Sequence, residues 1–129
     1  MNNVDKDKID SFTKLVAWQI SHKFVLLVLK NCEQLSYHDP VRNQMERAAI
    51  SITSNIAEGF GRQSIADKKH FYVMARGSAY ELQNQLLISR DTSRMNDEQF
   101  KELAQLSLDS VRLLHGLIRS TNRTKDAIS

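Results

Sequence analysis

The sequence predicts an all-α fold, an antiparallel up-down-up-down four-helix bundle, on three observations. One proline and four glycines in 129 residues leave little room for many strands and turns. Four long stretches of helix formers carry apolar residues at three- and four-residue intervals. Short links with capping residues join them, which makes consecutive helices antiparallel neighbours.

Residues 1–10 read as a frayed tail, with alternating Asp and Lys and only Val4 and Ile9 able to bury anything. A single bundle domain over residues 11–121 follows, and residues 122–129 read as a second tail. The first helix starts between Ser11 and Thr13, either of which can cap, and runs to about Leu35. Its apolar residues form two rows: Ala17, Ile20, Phe24, Leu27 and Val28, then Leu15, Trp18, Val25, Leu29 and Cys32. One row suffices for a monomeric bundle, so two imply a second burial, most simply against another subunit.

The pair Asp39-Pro40 reads as N-cap and first residue of a second helix. Met45, Ala49, Ile52 and Ile56 form its apolar stripe, with Ser51, Asn55 and Glu58 on another face. Gly59 and Gly61 suit the positive-φ positions beyond a helix C-terminus, and Arg62 suits the exposed carbonyls there. Ser64 to Asp67 resembles a capping box opening a third helix that runs to about Asp91. Phe71, Ala75, Ala79, Leu82 and Leu86 share one of its faces, and the mid-helix Gly77 suggests close approach of a neighbouring helix. Asn96 to Gln99 caps the fourth helix, about 97–120, whose seam is Phe100, Ala104, Ser107, Val111, Leu114 and Ile118. Leu103, Leu106, Leu113 and Leu117 flank that seam.

Several function classes lack support. No glycine cradle leads into a helix, no His stands near a nucleophile, and His22, His38, His70 and His115 never fall into a Cys/His metal spacing, so no catalytic, cofactor or metal site is expected. The lone Cys32 excludes an intramolecular disulfide and reads as a small core or interface residue. Phe12 and Trp18 read as packing anchors. No apolar run approaches the roughly 20 residues that cross a bilayer, and no apolar signal segment follows Met1. The expected location is cytoplasmic.

Ser51-Ile52-Thr53-Ser54-Asn55-Ile56-Ala57-Glu58-Gly59, then Gly61-Arg62-Gln63-Ser64, and later Ala75-Arg76-Gly77-Ser78-Ala79-Tyr80-Glu81-Leu82-Gln83-Asn84-Gln85-Leu86 carry a resemblance. Together with Phe12, Leu15 and Trp18-Gln19 they resemble the four-helix bundle family of 23S rRNA intervening-sequence, or S23, proteins, over roughly residues 12–118. The resemblance implies a left-handed antiparallel bundle that assembles into a homopentamer, with no enzymatic activity and no cofactor. A more distant similarity is to the accessory proteins of diversity-generating retroelements, pentameric barrels that associate with nucleic acid. Tyr37-His38-Asp39-Pro40 departs from the family's usual link, which often reads Phe-Pro and an acid.

Two groups of side chains stand out. Arg47, Asn55, Glu58, Ser78 and Glu81 read as a structural polar cluster that sets helix register and subunit contacts, because buried polar groups need partners. Pairing about the glycine turn places Arg47 or Arg42 near Glu81, and Asn55 or Glu58 near the start of the third helix. The second group is basic. Up-down topology gathers Arg62, Lys68, Lys69, His70, Arg112, Arg119, Arg123 and Lys125 at one end, and no acid stands between Ser110 and Lys125. Arg62, Lys68, Lys69, Arg119 and Arg123 are the candidate phosphate contacts. In a ring of five, each copy adds its formal +3, which suits an RNA or DNA backbone recognised by charge. The expected partners are therefore other copies of the chain and a nucleic-acid backbone, with no membrane and no small-molecule substrate. The alternative is a scaffold whose basic rim meets an acidic protein.

Overall fold

A computed structural model describes the backbone of residues 11–128 and the side chains of residues 11–122. A 3-10 turn, Phe12–Lys14, precedes four α-helices: α1 (Val16–Cys32), α2 (Pro40–Gly61), α3 (Ile65–Asp91) and α4 (Asp97–Ile128). No strand occurs among the described residues. The tail predicted for residues 1–10 lies outside them. Helix α4 runs past the end predicted near residue 120, since neither glycine nor proline follows Gly116 to stop it.

Each helix packs against two others. α1 touches α2 and α4, and α3 touches the same two, so the four stand in a square in chain order. Cross-helix bonds give their directions. Met45 and Ser51 of α2 meet Ser89 and Ser78 of α3, at 3.1 and 2.8 Å, so numbers rise along one helix as they fall along the other. Lys69 with Asn122 and Arg76 with His115 give α3 and α4 the same opposition. Ser21 of α1 meets Ser110 of α4 at 2.7 Å in the core.

Capping explains three of the helix starts. Asp39 accepts from the Val41 N–H at 2.9 Å with Pro40 behind it, and Ser64 accepts from the Asp67 N–H at 3.1 Å. Asn96 and Gln99 form a reciprocal box, each side chain accepting from the other's backbone N–H. Helix α1 differs from its prediction. Ser11 makes no side-chain cap bond, and the chain breaks at Leu15, whose extended backbone (ψ 126°) separates the 3-10 turn from α1. Leu15 and Trp18 pack on the core, Phe12 meets Trp18 edge-on, and Trp18 stacks on His22. The break therefore turns the entering chain back onto its own helix.

Three further expectations are corrected. The two apolar rows of α1 do not call for a second subunit: Val25 and Cys32 are buried with the first row, and Leu15, Trp18 and Leu29 pack against the core, because α2 and α4 flank α1 on both sides. Glycine φ values are all negative, and α2 runs through Gly59 to Gly61. Gly59 is required for proximity: a Cβ there would lie 2.7 Å from the buried Tyr72 ring and 3.0 Å from the Phe71 Cβ. Gly77, assigned that role by sequence, is exposed, and a Cβ on it would meet nothing within 4 Å.

The left-handed position belongs to Ser93, with φ 59°. It ends α3: Arg94 N–H reaches the Ser89 carbonyl at 2.8 Å and Ser93 N–H the Arg90 carbonyl at 3.2 Å, the paired bonds of a Schellman motif. The Arg94 guanidinium then donates to Asp39 at 2.9 Å and joins the two links at this end of the bundle.

Three measurements check this account. Gly59→Ala overpacks against the Tyr72 ring and the Phe71 Cβ, and urea unfolding is expected to show a loss of about 1–3 kcal/mol. Ser93→Gly relieves the left-handed strain and is expected to gain up to about 1 kcal/mol in the same assay. The Asp39 carboxyl is held below the usual carboxylate range, first by the Arg94 hydrogen bond. Its contribution is therefore complete above the unfolded value of about 3.9 and lost as pH falls through the lower folded value. Asp39→Asn keeps the cap and removes the charge, so wild type and variant are expected to differ at about pH 7 and to converge only once pH falls below the lowered folded value of Asp39.

Candidate nucleic-acid interface

The ends of α2 and α4 and the start of α3 share one end of the bundle, and the predicted basic residues divide there by what they touch. The Lys68 ammonium donates to the carbonyls of Phe60 (2.6 Å) and Gly59 (3.4 Å) and lies over the Phe60 ring. It satisfies the C-terminal carbonyls of α2, so its first task is to cap a helix. Arg62 pairs with Glu58 one turn back and lies over the Phe71 ring at 4.6 Å, with nearly half of its side chain exposed. Lys69 is exposed and donates to Asn122 at 3.0 Å. Arg119 is exposed, with no hydrogen-bond or ion-pair partner among the described residues. The Arg123 side chain lies outside the described residues.

Sequence reasoning singled out these cations one by one and missed a set on the flank between α3 and α4. The His115 ring stands between Arg76 Nη1, 3.2 Å from its Nδ1, and the Tyr80 hydroxyl, 3.2 Å from its Nε2. A guanidinium only donates, so Nδ1 accepts and the ring hydrogen lies on Nε2, facing Tyr80. Lys69, Arg76 and Tyr80 follow one another at seven and four residues on α3. Arg112, His115, Arg119 and Asn122 do so at three and four on α4, and the cross-helix bonds show that these two stripes border the same groove. The signal was present as this spacing. It becomes visible only when the neighbouring helix is known.

The polar cluster is only partly assembled. Ser51, Asn55 and Ser78 come together: the Asn55 amide donates to the Ser51 carbonyl and hydroxyl, and that hydroxyl meets Ser78. Glu58 turns to Arg62. Arg47 is exposed and reaches no partner among the described residues, while Glu81 accepts weakly from Gln85 at 3.4 Å. The predicted pairing of Arg42 or Arg47 with Glu81 is not made, because Arg42 turns back onto the link between α1 and α2. It donates to the Leu35 carbonyl, lies 3.4 Å from Glu46 and covers the Tyr37 ring.

Burial pushes the Cys32 thiol up to about 11, which leaves little thiolate near neutral pH. No group of three or more His, Cys, Asp or Glu among the described residues is placed to hold a metal ion. No described helix is long and apolar enough to cross a membrane.

Comparison with known proteins agrees with this architecture. A solved structure from Bacteroides thetaiotaomicron, a protein with unknown function from the S23 ribosomal protein family, superposes with a TM-score of 0.74 at 24% identity. The match covers 80% of this chain and 98% of that one, and it supports the fold alone. No curated protein matches the chain. The family model described as 23S rRNA-intervening sequence protein matches residues 13–116, from the 3-10 turn to the last quarter of the bundle. On that match, the chain belongs to the 23S rRNA-intervening sequence protein family.

Proposed function

We propose that this protein is a non-enzymatic accessory module that assembles into a homo-oligomeric ring, most simply a pentamer, and holds a nucleic-acid backbone at a basic rim. The observation that carries the proposal is the collection of exposed cations at one end. Arg62, Lys69 and Arg119 stand there, with His70 beside them, and the acids nearby are Glu58, already paired to Arg62, and Asp67. Such an end attracts a polyanion without reading its sequence. Lys68, engaged with α2 carbonyls, drops out of the contact set.

Self-association draws support from exposed apolar residues other than those of the α1 rows. Leu26 is 53% exposed and Val16 56% on α1, and Leu26 lies with Leu27 and Leu106 in the groove between α1 and α4. Met74 and Ile88 are exposed on α3 and fall in helical register with Ser78, on the side turned to α2. The α1–α4 and α2–α3 sides are opposite sides of the square. Two different patches on opposite sides suit head-to-tail contact, which closes into a ring when the rotation allows. Five-fold closure is what the family resemblance implies.

Light scattering on the purified protein is expected to give several times the chain mass of 14.8 kDa. Leu26→Glu, at an exposed site, is expected to yield a folded, smaller species. At low salt the wild type is expected to bind RNA or DNA of unrelated sequence, with affinity falling steeply as salt rises and weakened at least tenfold in Arg62→Glu/Arg119→Glu. Wild type that binds no nucleic acid at low salt but retains an acidic protein would replace the proposal with the scaffold alternative.

A further inference from the structure

The groove between α3 and α4 combines features that neither the rim nor the core requires. Its half nearer the rim is bordered by Lys69, Arg76, Arg112 and Arg119, and the acid among them is Asp109, 3.6 Å from Arg112. Arg76 uses one donor on His115 and Lys69 one on Asn122, so each keeps further donors. Lys69 and Arg76 are seven residues apart, as are Arg112 and Arg119, about 10 Å along each helix. Within this cationic stretch lies Tyr80, 47% exposed and hydrogen-bonded through its hydroxyl alone.

Farther along, the groove becomes an apolar pocket walled by Leu86, Leu87, Phe100 and Leu108. Ser107, also part of its lining, is buried with a hydroxyl that has no hydrogen-bond partner among the described residues. Such a hydroxyl is costly unless something supplies a partner.

From this juxtaposition we infer that the α3–α4 groove is a binding channel for single-stranded nucleic acid. Phosphates lie along Lys69, Arg76, Arg112 and Arg119, one base stacks on Tyr80, and a second enters the apolar pocket with its polar edge toward Ser107. A duplex fits this groove poorly: its base faces are stacked internally, so an aromatic platform and a base-sized apolar pocket serve only an open strand. The inference rests on the nucleic-acid reading proposed above and extends the contacts from the rim, with which the groove shares Lys69 and Arg119, along the flank.

The test is fluorescence anisotropy with a labelled oligothymidylate, an oligouridylate of the same length and a duplex of that length, on the full chain. Single strands are expected to bind at least tenfold more tightly than the duplex. Tyr80→Ala is expected to weaken single-strand binding about tenfold, whereas Tyr80→Phe, which keeps the ring and loses the bond to His115, retains it. Arg76→Gln is expected to weaken binding and to reduce the salt slope by about one unit. Thermal unfolding of each variant shows that the bundle persists. Equal affinity for duplex and single strand, or Tyr80→Phe failing together with Tyr80→Ala, overturns the channel. If the groove variants bind like wild type while Arg62→Glu/Arg119→Glu does not, the channel falls and the rim stands. If wild type binds no strand at all, both fall.

Discussion

The close approach of α2 and α3 is the constraint on which the rest of the bundle depends. Both helices bury small residues, Ala48 and Ala49 on α2 and Ala75 and Ala79 on α3, and their seam ends at Gly59, where the buried Tyr72 ring occupies the space a side chain would need. Small residues let two helix backbones approach, and the ring then blocks sliding. The Ser51–Ser78 bond and the Ser89–Met45 contact fall into place along the same seam. Once α2 and α3 are set, α1 and α4 close the square around Phe24, Leu82, Leu103 and Leu114, all fully buried.

Local chemistry was legible in the sequence, and inter-helix neighbourhood was not. Asp39-Pro40, Ser64 and Asn96–Gln99 cap helices because each cap is made within four residues of the chain. Apolar spacing likewise revealed which face of each helix turns inward. Spacing alone does not say how many helices cover a face, and for that reason the two rows of α1 suggested a partner subunit when α2 and α4 cover both. The glycine turn failed on similar grounds. Gly59 looked like a helix terminator, but its role is set by Tyr72, thirteen residues on and across a helix seam. Ser93 carried no signal for the left-handed position, since its conformation comes from the two bonds that wrap the end of α3.

The candidate site was legible as composition and only partly as geometry. A basic end could be counted from topology, yet Lys68 belongs to the carbonyls of α2, and Arg47 and Glu81 have no mutual contact. Arg76, Tyr80 and His115, absent from the sequence-level set, are joined to one another across α3 and α4. Charge read along the chain identifies an end of the molecule. Charge read across two helices identifies a groove, and only the second offers a ligand directional contacts as well as potential.

The bonds that cross the interior share a property that bears on handling and on physiology alike. Ser21 with Ser110, Ser51 with Ser78 and Ser89 with Met45 join neutral groups, and two of the three lie fully in the core. Dissolved ions screen exposed charges over about 8–10 Å and leave such dipolar pairs nearly untouched. The alignment of the helices is accordingly expected to persist from dilute buffer to strong brine, while contacts made by exposed charge weaken.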